Sequence, residues 1–292
     1  MDAYRTPEER FESLAGWPYE PSYVWQDGLR MHYVDEGAAT DPVLLLHGEP
    51  TWGFLYRKTI PRVAAAARVV LPDLFGFGRS DKPLDQSDYS YDSHYRSIER
   101  LAVELDLRRL TLVVHDWGGP IGLRFAVMHP DRVERLVILN TGVGAGQAPS
   151  PDWLRFRELV RAVGTDFTAS RLVQVACVSP LDEDTIRGYD APFPVAEAKA
   201  GALAFPELVP TELDHPSAAA MLEVRDALSR WEKPTLVLFS DSDRVFSPAH
   251  AKRLAAHIPG ALAAEIVAGA GHFLQEDKGE EIAERIVRFL AA

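Results

Sequence analysis

The chain has 292 residues, is 47% hydrophobic and carries a formal net charge of -12 at neutral pH. That is enough chain for one large α/β domain with an inserted subdomain, and the acidity argues against nucleic acid and anionic membranes as partners. No apolar run approaches the roughly 18 residues of a membrane span, no apolar leader is visible at the start, and the single cysteine, Cys177, read as a small buried hydrophobe, leaves no disulfide framework, so a soluble cytoplasmic protein is expected.

In chain order, residues 23–25 and 29–34 read as two short strands around a turn at 26–28, an antiparallel hairpin. Residues 42–46 are a continuous apolar run, the signature of a strand buried on both faces of a parallel sheet. It ends in the loop His47-Gly48-Glu49-Pro50-Thr51-Trp52. Residues 54–67 predict a helix that Pro61 starts or kinks. A strand at 68–71 leads into a glycine-punctuated loop at 72–81, and 91–105 form an amphipathic helix. Residues 110–114 are again apolar; Asp116, Gly118 and Gly119 follow, and 121–127 are helical. Residues 133–139 are the next strand. Strand and helix alternate throughout, which predicts a doubly wound, mainly parallel α/β sheet.

The rhythm breaks at 141–146, and no strand follows until 234–239. Trp153, Phe156, Leu159, Val160 and Val163 recur at helical spacing. Residues 143–213 are therefore expected to be a helical cap inserted into a core made of 1–142 and 214–292. A helix at 248–257, a strand at 263–267 and a helix at 280–290 complete the core.

Three chemically able residues fall where strands end: Asp116, Asp243 and His272. The stretch around Asp116 has the pattern of a nucleophile elbow, with Asp in place of the familiar Ser and His115 in place of the first Gly. A carboxylate is ionised at neutral pH and needs no base to attack an sp3 carbon. The product is an alkyl ester, which water must hydrolyse. A neutral imidazole at His272 is the expected base, and Asp243 the acid that holds its tautomer. Asp241 is a rival for the acid; Asp243 is preferred for its place one turn before the next helix. Asn140, after the preceding strand, is no carboxylate. The backbone N–H groups of Glu49 and Trp117 form the expected oxyanion hole. Pro50 fixes the turn, possible in the cis form. The Glu49 side chain lies beside an anion; it is expected to pair with a base such as Arg or with solvent and to shape the site, not to catalyse, with Arg79 and Asp73 as candidates for that framework.

Together, the motifs His47-Gly48-Glu49-Pro50-Thr51-Trp52, Phe75-Gly76-Phe77-Gly78-Arg79-Ser80-Asp81, His115-Asp116-Trp117-Gly118-Gly119, Ala191-Pro192-Phe193-Pro194 and Ala270-Gly271-His272-Phe273 resemble a haloalkane dehalogenase. The likeness is to the branch whose acid follows the later strand; it covers nearly the whole chain and is weakest at 143–190. It implies an α/β-hydrolase fold and release of halide and a primary alcohol through an ester on Asp116. It also implies two indole N–H groups for the leaving halide: Trp117 and, as the only tryptophan between 117 and 231, Trp153. An aromatic on a cap helix can equally be plain core. An indole N–H to an anion is worth roughly 1.5–3 kcal/mol, and it acts most as the bond breaks. By the same resemblance Phe205, Pro206 and Val209 line an apolar pocket, with Phe246 and with Pro120 where an aromatic often stands. No cofactor and no metal are expected; the partners are a small halogenated hydrocarbon, water and halide, and the chain is expected to be a monomer.

Other readings share parts of this pattern. An epoxide hydrolase uses the same Asp–His–Asp set with two cap tyrosines, but 143–230 holds only Tyr189. A fluoroacetate dehalogenase wants arginines where Trp117 stands. A non-catalytic scaffold of the same fold would tolerate loss of the three residues, yet all are present.

Overall fold

The apolar run Pro42–Leu46 (β4) pairs on both sides, which is why every one of its residues is buried. The computed structural model describes residues 2–292. Its strands are β1 (Ala3–Tyr4), β2 (Ser22–Gln26), β3 (Leu29–Glu36), β4, β5 (Arg68–Pro72), β6 (Lys82–Pro83), β7 (Leu110–His115), β8 (Val133–Leu139), β9 (Thr235–Ser240) and β10 (Glu265–Val267). Eight of them form one sheet in the order β10-β9-β8-β7-β4-β5-β3-β2, while β1 and β6 pair separately. Only β3 runs against its neighbours; the other contacts of the large sheet are parallel. The mainly parallel, doubly wound expectation is met. In β4, β7 and β9 no residue reaches solvent, so helices must cover both faces.

The helices are α1 (Ile60–Ala64), α2 (Tyr91–Glu104), α3 (Gly118–Met128), α4 (Pro151–Val163), α5 (Ala169–Ala176), α6 (Glu183–Asp190), α7 (Ala200–Ala204), α8 (Ala218–Leu228), α9 (Pro248–His257) and α10 (Leu274–Leu290). α3 packs against α2 and α8, and α1 against α10. Between β8 and β9 the chain is helical, with α4 to α7 and short 3-10 turns preceding α8. The expected helix at 54–67 is instead a 3-10 turn at Gly53–Tyr56 followed by the short α1, with Pro61 in its first turn, where a missing N–H does no harm. α10 starts earlier than its pattern suggests, because one turn precedes a kink at Lys278. No helix among the described residues is long and apolar enough to cross a membrane.

Helix α7 meets the loop after β5 at two glycines, with the Tyr89 ring packed against both. A Cβ on Gly201 would stand 2.9 Å from the Cα of Gly76, and one on Gly76 would stand 3.0 Å from the Cα of Gly201. Phe205, which begins the 3-10 turn directly after α7, is thereby carried into the core beside Phe77 and Trp117.

Candidate active site

The turn between β7 and α3 is tight because Gly118 and Gly119 directly follow Asp116 and Trp117. Asp116 takes φ 49°, a left-handed conformation that non-glycine residues rarely adopt. A Cβ on Gly118 would press on the carbonyl of Leu46, and one on Gly119 on the side chain of Thr141. The strain is held by hydrogen bonds: the Asp116 carbonyl accepts from Gly119 N at 2.9 Å and from the Thr141 hydroxyl at 2.6 Å. The Asp116 side chain then points across the end of β4. Its Oδ1 accepts the Glu49 N–H at 2.8 Å, and Gly48 leaves the room, since a Cβ there would collide with the carboxylate.

His272 reaches the other carboxylate oxygen. Its Nε2 is 3.3 Å from Asp116 Oδ2, and its Nδ1 is 2.8 Å from Asp243 Oδ2. Asp243 is itself fixed, with Oδ1 accepting the N–H groups of Val245 at 2.6 Å and Phe246 at 3.1 Å. The structure therefore brings Asp116, His272 and Asp243 into one line. Asp241 faces away: its carboxylate accepts from Gly269 N and from the Ser242 hydroxyl. At Asn140, Oδ1 accepts from Ser240 N, while Nδ2 donates to the carbonyls of Gly271 and His272.

The charges follow from this geometry. Burial alone would lower the imidazole of His272, but the charges and hydrogen bonds of Asp243 and Asp116 outweigh it and raise it to about 10. Its place between two carboxylates thus drives the imidazole towards its cationic form, where the sequence alone suggests a neutral base. Burial would raise Asp116, yet the hydrogen bond and charge of His272, with the Trp117 N–H, hold it below the usual carboxylate range. Glu49 goes the other way: burial, then the Asp116 charge, push its carboxyl well above that range. Neither expected partner serves it. Asp73 accepts from His32, Gly53 and Arg79, Arg79 reaches Glu8, and Glu49 Oε1 is buried without a protein partner. The Glu49–Pro50 peptide is cis.

The remaining expected residues lie at the start of α3, on α4, around the turn after α7 and in the loop after β9. Trp117 is buried, and its aromatic neighbour is Phe205, edge to face at 5.2 Å. Trp153 lies half-buried on α4 with the Arg157 guanidinium 4.8 Å over its ring. Pro206 is buried on the turn of Phe205, and Val209 is half-buried just beyond it. Pro120 is buried in the first turn of α3, where its carbonyl accepts from the Tyr91 hydroxyl at 2.9 Å. Phe246 lies nearly parallel to the His272 ring, 6.0 Å away. His115 carries a role the sequence did not announce: its Nε2 is 2.9 Å from the carbonyl of His272. Its place directly before Asp116 was the only available signal.

A family model described as the alpha/beta hydrolase fold matches residues 41–279. A haloalkane dehalogenase of Mycobacterium marinum is 44% identical over 98% of this chain and 99% of that protein. Haloalkane dehalogenase 1 of Mycobacterium tuberculosis is 45% identical over the whole of both chains. Among solved structures, the tetrameric haloalkane dehalogenase DpaA of Paraglaciecola agarilytica superposes with a TM-score of 0.93 at 36% identity, covering 98% of this chain and 97% of that one.

Proposed function

The chain belongs to the haloalkane dehalogenases, hydrolases of the alpha/beta hydrolase fold that act on carbon–halogen bonds, and on that premise we propose how its own residues carry the reaction. Asp116 Oδ2, the oxygen not held by the Glu49 amide, attacks the carbon; the carbon–halogen bond breaks and the halide leaves with the electron pair. Trp117 and Trp153 donate their indole N–H groups to that halide. The ester then presents its carbonyl oxygen, the former Oδ1, to the N–H groups of Glu49 and Trp117. His272 removes a proton from water, the hydroxide adds to the ester carbon, and collapse returns the Asp116 carboxylate and releases a primary alcohol.

The resting charge of His272 fits this sequence. Displacement removes no proton and so needs no base, provided that the imidazole N–H releases the attacking oxygen. Esterification removes the negative charge of Asp116, one of the two groups that raise His272. The imidazole then gives its proton to solvent and becomes a base at the step that requires one.

One observation carries the reading: a carboxylate stands on a left-handed elbow, with one oxygen on a backbone N–H and the other facing an Asp-supported imidazole. The epoxide hydrolase alternative is not favoured, since the Tyr189 hydroxyl is buried and donates to Glu276 at 2.6 Å. Bromide release from 1,2-dibromoethane, compared with diol formation from styrene oxide, tests the choice; diol without bromide would reverse it. Phe205, Pro206, Val209, Pro120 and Phe246 complete the apolar surroundings of the substrate in this reading. We take 143–213 as the cap and 1–142 with 214–292 as the core, a division supported by α8 packing on α3. The chain acts as a cytoplasmic monomer in this reading; sedimentation at micromolar concentration tests the monomer, and a tetramer like that of the Paraglaciecola enzyme would overturn it.

A further inference from the structure

The main chain of His272 is held from two sides. Its carbonyl accepts from His115 Nε2 at 2.9 Å and from Asn140 Nδ2 at 3.0 Å, both residues at the ends of central strands. Its N–H donates instead to the carbonyl of Ala176, 2.7 Å away, the last residue of α5. The residue is thus tied to the sheet through its C=O and to the inserted helices through its N–H. Gly271 permits the approach, because a Cβ there would collide with that same Ala176 carbonyl.

One side chain spans the same seam. Asp277 Oδ2 accepts the N–H of Gly271 at 2.8 Å and that of Val178 at 3.0 Å, while Oδ1 accepts the N–H of Ser179 at 2.7 Å. Val178 and Ser179 follow α5 after Cys177 alone, so fixing them restrains Ala176. The neighbouring Glu276 does different work. It receives Arg57 in two bonds of 2.6 and 2.8 Å, Lys58 at 2.8 Å and the Tyr189 hydroxyl at 2.6 Å. That network anchors α6 to the core and does not touch the His272 loop.

We propose that Asp277 is a positioning residue for ester hydrolysis: it clamps residues 178–179 to Gly271 and so keeps the Ala176 carbonyl on the His272 N–H. The inference rests on the roles given above to Asp116 and His272. It separates the two chemical steps. Displacement uses the Asp116 carboxylate, which keeps the Glu49 N–H and the elbow even where the imidazole shifts, and which needs no proton removed. Hydrolysis uses the imidazole, and an imidazole displaced by about an ångström loses on the order of a hundredfold in rate.

The test is rapid-quench kinetics with 1,2-dibromoethane on Asp277→Ala and Asp277→Asn. In the alanine variant, a burst of about one bromide per site should keep the rate seen in the unmodified protein. Steady turnover should fall roughly ten- to a hundredfold, with the alkyl group accumulating on the Asp116 peptide. Asparagine keeps one acceptor oxygen and should recover part of the loss. A burst and a turnover that fall in proportion, or that both stay unchanged, would overturn the proposal. If the alanine variant does not fold, the asparagine variant is judged on the same ratio. Absence of bromide from the unmodified protein would instead overturn the assignment of Asp116 and His272, and this inference with it.

Discussion

Glu49 meets Asp116 in two opposite ways. Its N–H donates to Oδ1 at 2.8 Å, a favourable contact with the anion. Its carboxyl lies buried in the field of the same anion and is driven towards its protonated form. The repulsion that the sequence suggests is relieved by the proton and needs no cationic partner. A neutral acid so placed adds no further negative charge to the two carboxylates, Asp116 and Asp243, that face His272.

That proton has a consequence for stability. A carboxyl raised in the folded state binds its proton more tightly folded than unfolded, so stability falls as pH rises from the unfolded value near 4.5 towards the folded one. The Glu49→Gln variant lacks this loss. Thermal midpoints of the two proteins, followed from about pH 5 to about pH 9, should diverge in favour of the glutamine variant as pH rises. Parallel curves would show that Glu49 is ionised in the folded protein.

Removing the base should separate displacement from hydrolysis. His272→Phe should release about one halide per site and then stall with the alkyl group on Asp116. Mass spectrometry after exposure to 1,2-dibromoethane should find the adduct on the Asp116 peptide, and Asp116→Ala should give neither burst nor adduct. Normal turnover by the phenylalanine variant would refute His272 as the base.

The acid is chosen by geometry. Asp243 touches the imidazole at 2.8 Å, whereas Asp241 binds Gly269 and Ser242. Asp243→Asn should slow turnover by at least about a hundredfold, and Asp241→Asn should leave it near that of the unmodified protein. Equal losses, or a larger one at 241, would reverse the assignment.

The two indoles proposed to hold the halide are separable by fluorescence. Trp117→Phe should weaken bromide binding about tenfold or more, the value of one charge-assisted hydrogen bond, with the fold intact. Trp153→Phe should do the same. A stability loss at 153 without any change in bromide titration would assign that ring to packing against Arg157.

The strands were legible because a parallel sheet buries both faces, and runs such as 42–46, 110–114 and 235–239 have little else to be. Asp116, Asp243 and His272 were found by where those runs stop, and the structure brings them within hydrogen-bonding reach of one another. The split at 54–67 was hidden, since a 3-10 turn and an α-helix share apolar spacing over so short a stretch. The charge on His272 was hidden as well. It depends on two carboxylates from distant strands, and a sequence shows a histidine without its neighbours. Asp277 carries no local pattern, because its partners at 178 and 179 are far from it in the chain and meet it only in the fold.

The contact of Gly76 with Gly201 bears on how this enzyme can diversify. The two main chains approach each other there with the Tyr89 ring packed against both, so a Cβ at either position would meet backbone and ring together. Phe205 inherits that constraint and transmits it to Trp117. Selection for bulkier substrates should therefore spare 76 and 201 and accumulate changes along α4, where Leu159 is 49% exposed and only Val160 is buried.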